Sequence, residues 1–76
     1  MKEIKINLTN IQDIRDFVNL VILLDYDVDL VQGRYVIDAK SIMGIFSLDL
    51  LSPISLVAHT EYAEDFFEKI EKFVAK

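Results

Sequence analysis

The feature that most limits what this chain can fold into is a hydrophobic period that switches repeatedly along it. Residues Glu3 to Leu8 alternate, with Ile4, Ile6 and Leu8 on one side and Glu3, Lys5 and Asn7 on the other. A period of two marks a strand with one buried face. From Ile11 the spacing changes: Ile11, Ile14, Phe17, Val18, Val21 and Ile22 recur at helical intervals, with Gln12, Asp13, Arg15, Asp16 and Asn19 facing water. This predicts a first helix ending near Leu23. Thr9 or Asn10 is its N-cap, with Gln12 or Asp13 placed to close a capping box.

Alternation returns from Asp25 to Val31, where Tyr26, Val28 and Leu30 oppose Asp25, Asp27 and Asp29. Gln32-Gly33 predicts a tight turn, and Arg34 to Asp38 the returning strand of a hairpin with Tyr35 and Ile37 inward. Ser41 to Leu48 reads as a short second helix and Leu50 to Pro53 as a loop, with Pro53 where a strand tolerates a missing N–H. Ile54 to His59 alternates as a fourth strand, with Ile54, Leu56 and Ala58 inward and Ser55, Val57 and His59 outward. Thr60 then caps a last helix carrying Tyr62, Ala63, Phe66, Phe67, Ile70, Phe73 and Val74 at helical spacing. Glu61, Glu64 and Asp65 fall in its first turn and Lys72 and Lys76 near its end, as the helix dipole favours.

The order is βαββαβα, and every strand has one apolar and one polar face. Helices can therefore cover the sheet on one side only. The expected class is α+β, an open-faced sandwich in which a four-stranded antiparallel sheet is covered on one face by three helices. With 76 residues, 53% of them hydrophobic, the chain supports one core, and residues 1–76 are read as a single domain.

Composition narrows the function. There is no cysteine, which removes disulfides, thiolate metal sites and a cysteine nucleophile together and points to the cytoplasm. The opening MKEIKINLTN has no apolar core resembling a signal peptide. Phe17 to Leu24, the longest apolar stretch, is interrupted by Asn19 and falls well short of the ~20 residues a bilayer requires, so no membrane association is expected. A net charge of −5 argues against nucleic acid and for partners that carry positive patches.

Catalytic groups are scarce. The only histidine, His59, falls on the outward face of the fourth strand, with nothing near it in sequence to build a triad. Asp25, Asp27 and Asp29 lack the glycine and the final glutamate of a calcium loop, because Leu30 and Val36 stand there. The only glycines, Gly33 and Gly44, make no phosphate-cradling loop. The chain reads as a non-enzyme with no cofactor and no metal.

Ser41 stands apart. Its hydroxyl is placed to accept from the backbone N–H of Met43 or Gly44, a cap worth about 0.5–2 kcal/mol. A phosphate there would bring about −1.5 to −2 charges to a helix N-terminus, with Lys40 beside it. The second helix also has more apolar side chains than one face can bury. With Ile42, Ile45 and Leu48 turned to the sheet, Met43 and Phe46 remain partly exposed next to Ser41, the makings of a docking surface. The alternative is a plain helix cap, with Met43 and Phe46 folded against a loop.

Asp27-Val28-Asp29-Leu30, Gly33 and the block Asp38-Ala39-Lys40-Ser41-Ile42-Met43-Gly44-Ile45-Phe46-Ser47-Leu48 resemble HPr, the small phosphocarrier of the bacterial phosphoenolpyruvate-dependent sugar phosphotransferase system. The resemblance is strong from Asp25 to Leu48, and the βαββαβα order agrees along nearly the whole chain. It implies that Ser41 is the regulatory site phosphorylated by the bifunctional HPr kinase/phosphorylase. It also implies that Lys40, Ile42, Met43 and Phe46 contact a partner, in that family a catabolite-control transcriptional regulator.

The family carries phosphate on a histidine at the start of its first helix, within a His-Ala-Arg-Pro motif. An ungapped count from Ser41 puts Asn10-Ile11-Gln12-Asp13 there. Asn10 cannot form a phosphoramidate, Gln12 has no guanidinium and Asp13 would repel a phosphate. The combination is similar to the Crh-type branch, which keeps the serine without the histidine. The resemblance thus implies carbon catabolite regulation through phosphoserine-dependent protein binding, without phosphohistidine transfer. A phosphocarrier of the sugar system and an interaction module with no phosphorylation are the alternatives. The expected state is a monomer or weak homodimer.

Overall fold

The computed structural model describes residues 1–75. Strand β1 (Lys2–Ile6) leads into helix α1 (Ile11–Val21), the hairpin β2 (Val28–Gln32) and β3 (Tyr35–Asp38), helix α2 (Ile42–Phe46), strand β4 (Ile54–Ala58), helix α3 (Glu64–Lys69) and a 3₁₀ turn (Glu71–Phe73). The four strands form one antiparallel sheet in the order β1-β4-β2-β3.

Register explains the one-sided core. Ile4, Leu56, Leu30 and Ile37 stand opposite one another across all four strands, on the face that the helices cover. The next row, Lys5, Ser55, Val31 and Val36, points to the open face. Between sheet and helices Phe17 is fully buried, with its ring edge-on to Phe73 at 6.1 Å and tilted against Phe66 at 6.5 Å. These aromatic pairs tie α1 to the last segment of the chain.

Several boundaries differ from the sequence expectation. β1 starts at Lys2 and ends at Ile6 rather than running from Glu3 to Leu8. Ile6 pairs with Ile54, and the next residue of β4 outward is Pro53, which has no N–H to give. The chain is then held by the last segment: the Asn7 N–H donates to Phe73 O, Ile6 bridges Val74, and the Ala75 N–H donates to Lys5 O. Leu8 is buried beyond the strand end.

Ile11 and Ile22, assigned to the buried face of α1, are more than half exposed. They flank the buried stripe Ile14–Phe17–Val18–Val21, with Leu20 half-buried against the core beside it. β2 begins at Val28 rather than Asp25. The turn is Gly33-Arg34 rather than Gln32-Gly33, since Gln32 pairs with Tyr35. Gly33 has φ +60° and Arg34 does not share the positive sign, the pattern of a two-residue II′ turn. Tyr35 shares a face with Ile37 but is exposed at the end of an edge strand, so it does not enter the core.

The last helix is broken. Thr60 accepts from the Tyr62 N–H in a local turn, while Ala63 precedes the first residue of α3. Ile70, at φ −102°, ends α3, and the 3₁₀ turn carries Phe73 into the core. Val74 is extended, not helical. Lys76, assigned to the end of that helix, is outside the described residues.

Candidate functional site

Ser41 is held by two backbone bonds and one side-chain bond. Its N–H donates to Asp38 O at 2.9 Å, its carbonyl accepts from the Ile45 N–H at 3.0 Å, and its Oγ accepts from the Gly44 N–H at 3.0 Å. Just upstream, the Ala39 N–H donates to Val28 O, which fixes the turn to the hairpin, and the Lys40 N–H donates to Asp38 Oδ1 at 2.9 Å. The serine therefore sits at the junction of β3 and α2 on a backbone tied at each residue from Ala39 to Ser41.

α2 is shorter than Ser41 to Leu48, with five residues. Its inward stripe runs from half-buried Ser41 through Ile45, fully buried, to Leu48, also buried. These positions, i, i+4 and i+7, share one face of a helical path. Ile42 is one step round and 40% exposed, so it does not point to the sheet as its spacing had suggested. Met43 is 82% and Phe46 45% exposed. Ile42, Met43 and Phe46 thus present a contiguous apolar edge to water beside Ser41. Lys40 is exposed, and among the described residues it pairs with no carboxylate.

The helix is braced at both ends. Ser47 Oγ donates to Gly44 O. The loop that follows is clamped to β2: Gln32 Nε2 donates to Asp49 O, and the Asp49 N–H donates to Gln32 Oε1, both at 2.8 Å. Nothing in the spacing of Gln32 announced this two-way amide contact, which needs the register of the hairpin to be seen.

At the start of α1 Asn10 is committed to structure. Its Oδ1 accepts from the Asp13 N–H at 2.8 Å, while Thr9 Oγ1 donates to the Asp13 carboxylate at 3.2 Å. The helix start carries an amide cap and a carboxylate, with no imidazole or guanidinium in Asn10 to Asp13.

His59 lies just past β4, its Nε2 2.7 Å from Asp29 Oδ2, both partly exposed. The sequence reading missed Asp29 because the partners are 30 residues apart. Their meeting follows from antiparallel pairing of β2 with β4, in which Asp29 stands opposite Val57, two residues before His59. Among the described residues no serine bonds to either. Among the described residues no group of three or more His, Cys, Asp or Glu could hold a metal ion, and no helix is long and apolar enough to cross a membrane.

No family model matches the chain, and no curated protein does. Solved structures match it over nearly its whole length. HPr-C-His from Thermoanaerobacter tengcongensis superposes with a TM-score of 0.77 at 24% identity, covering 97% of this chain and 91% of that one. The phosphocarrier protein HPr from Bacillus anthracis strain Ames gives 0.73 at 22% identity, covering 97% and 96%. Crh, the Bacillus subtilis catabolite repression protein solved as a domain-swapped intertwined dimer, gives 0.66 at 23% identity, covering 93% and 88%. The fold is the HPr fold, the open-faced sandwich expected from the periodicity.

Proposed function

We propose that this chain is a regulatory protein of the HPr type, switched by phosphorylation of Ser41 and acting by binding another protein through α2. The observation that carries this reading is the coincidence at α2 of a half-buried cap hydroxyl with an exposed apolar edge of Met43, Phe46 and Ile42. Phosphorylation would replace a neutral acceptor by a dianion at the same spot. Its oxygens could take over the Gly44 N–H, and Lys40 would be free to pair with them or with the partner. The charge of the surface changes while Ile45 and Leu48 keep α2 in place.

The likeness to Crh, whose name links it to catabolite repression, supports placing the switch in carbon catabolite regulation. The kinase is then an HPr kinase/phosphorylase and the partner a catabolite-control regulator. Asn10, engaged as a helix cap, supports a role without phosphohistidine transfer, although the phosphocarrier HPr is among the similar structures. The last segment of the chain bonds to Lys5 at the end of β1 and to Asn7 just past it, which supports a monomer or weak homodimer.

The test is intact-mass spectrometry after incubation with an HPr kinase and ATP, beside Ser41→Ala. One phosphate that disappears in the mutant supports the switch. No phosphate on the folded protein leaves Ser41 a cap, and a phosphohistidine formed with enzyme I and phosphoenolpyruvate overturns the reading.

A further inference from the structure

The apolar stretch Phe17 to Leu24 does more than α1 needs. Phe17, Val18 and Val21 are buried, yet Leu23 remains 79% exposed and Ile22 more than half exposed. The helix ends here in tightening turns, with the Leu23 N–H donating to Leu20 O and the Leu24 N–H to Val21 O. Leu24 is half-buried against the core, but Ile22 and Leu23 face water just past the helix end, an apolar patch of the kind that partners cover.

Leu23 and Leu24 border a groove of about 260 Å³ between the end of α1 and the start of α3. Leu20, Leu24 and Phe66 are its apolar lining, and Leu23 and Tyr62, 82% exposed, are its outer lips. Tyr26 also lines it, beside Asp65. Asp25 and Glu64 lie close enough to act on the Tyr26 phenol together with Asp65. Lys69 is the one cation among the lining residues. The groove is thus apolar within and acidic at the rim.

That combination selects among occupants. A second copy docked by a two-fold would set Asp25, Glu64 and Asp65 against themselves. An anionic lipid surface meets the same repulsion. A segment with an aliphatic anchor flanked by Lys or Arg satisfies both the lining and the rim. We propose that the groove between α1 and α3 receives a basic amphipathic helix of a partner protein, its leucine-type side chain between Leu20, Leu24 and Phe66 and its cations at Asp25, Glu64 and Asp65. None of these residues belongs to the Ser41 surface, so this contact is separate from the α2 reading.

The probes are a synthetic amphipathic helix of leucine and lysine and its counterpart with glutamate for lysine, titrated into the nitrogen-15-labelled protein. The lysine peptide is expected to shift the amide signals of Leu23, Leu24, Tyr62 and Phe66, and the glutamate peptide to leave them unmoved. Leu23→Ser removes an anchor contact and is expected to weaken binding about tenfold. Asp65→Lys reverses a rim charge and is expected to weaken it several-fold, roughly 3–10, and to lower the salt dependence. Both side chains are exposed, so the fold should be kept, which thermal melts of the variants check. The proposal is overturned by equal response to both peptides, by shifts confined to α2 or the open sheet face, or by no binding. It is overturned equally if the groove signals move with the protein's own concentration, or on phosphatidylglycerol vesicles, in place of the lysine peptide.

Discussion

Gly44 leaves a space beside Ser41 that a methyl group could enter only at 3.0 Å from the serine Oγ and 3.3 Å from its Cβ. The same Oγ accepts from the Gly44 N–H, so it cannot swing away without giving up the cap. Ile37 Cδ1, 3.3 Å from the same point, closes the third side. The glycine in this short helix is therefore a steric partner of the serine. An alanine would gain in helix propensity, and Ser41 decides whether that gain is realised.

Ser41→Ala is expected to cost about 0.5–2 kcal/mol, since the Gly44 N–H loses its acceptor at a half-buried helix start. Gly44→Ala should also destabilise, by about 0.5–1 kcal/mol, because crowding against a fixed Oγ outweighs a propensity gain of similar size. In a Ser41→Gly background, without Oγ or Cβ, the same alanine should become neutral or stabilising. Urea unfolding of the parent, Ser41→Gly, Gly44→Ala and the double variant forms a cycle, and additivity within error would show that the two residues do not interact.

Asn10→Ala is expected to cost about 0.5–2 kcal/mol by urea unfolding, because Oδ1 is the acceptor for the Asp13 N–H. Asn10→Asp should hold stability near the parent value. Asn10→His restores only a nitrogen nucleophile: Gln12 supplies no guanidinium, and the Asp13 carboxylate remains in the same turn. With enzyme I and phosphoenolpyruvate this variant is expected to stay unphosphorylated by intact mass.

The period switches made the fold readable because each apolar face has one destination. Ile4, Leu56, Leu30 and Ile37 form one row across the sheet, as alternation required. The errors fall where local pattern and tertiary coverage disagree. Ile11, Ile22 and Tyr35 fit a buried face by spacing, but no element lies over them. Ile42 belongs to α2 by period, yet the short helix turns Ser41, Ile45 and Leu48 inward instead. Ser41 and its cap were legible because capping is local. The Gln32–Asp49 clamp, the His59–Asp29 pair and the groove at Leu20 and Phe66 were not, since each joins residues that only the strand order brings together.

Phe17→Ala should be the most damaging single truncation on α1. The ring is fully buried between Phe66 and Phe73, and phenylalanine-to-alanine changes at such sites cost about 3–5 kcal/mol. For a domain whose total stability is of order 5–15 kcal/mol, that approaches the whole. The pairing of residues 73–75 with β1 depends on Phe73 staying docked, so amide exchange at Asn7 and Ala75 should accelerate with it. Leu51→Ala, at a side chain 98% exposed, should change stability by no more than about 0.5 kcal/mol.

Alkaline titration should report on Tyr26. Burial, then the negative charges of Asp25, Asp65 and Glu64, raise its phenol above the ordinary value of 10.0. The neutral phenol is therefore favoured by folding. Its contribution to stability is fully present below pH 10.0, the unfolded value, and is lost as pH rises through the higher folded value. Tyr26→Phe should lose less stability than the parent across that alkaline window, and the difference in tyrosinate absorbance between the two proteins isolates the Tyr26 component. Asp65→Asn should move that component to lower pH without abolishing it, because desolvation, the larger cause, remains. A Tyr26 phenol that ionises at the ordinary value of 10.0 would show that the groove and its carboxylates do not act on it.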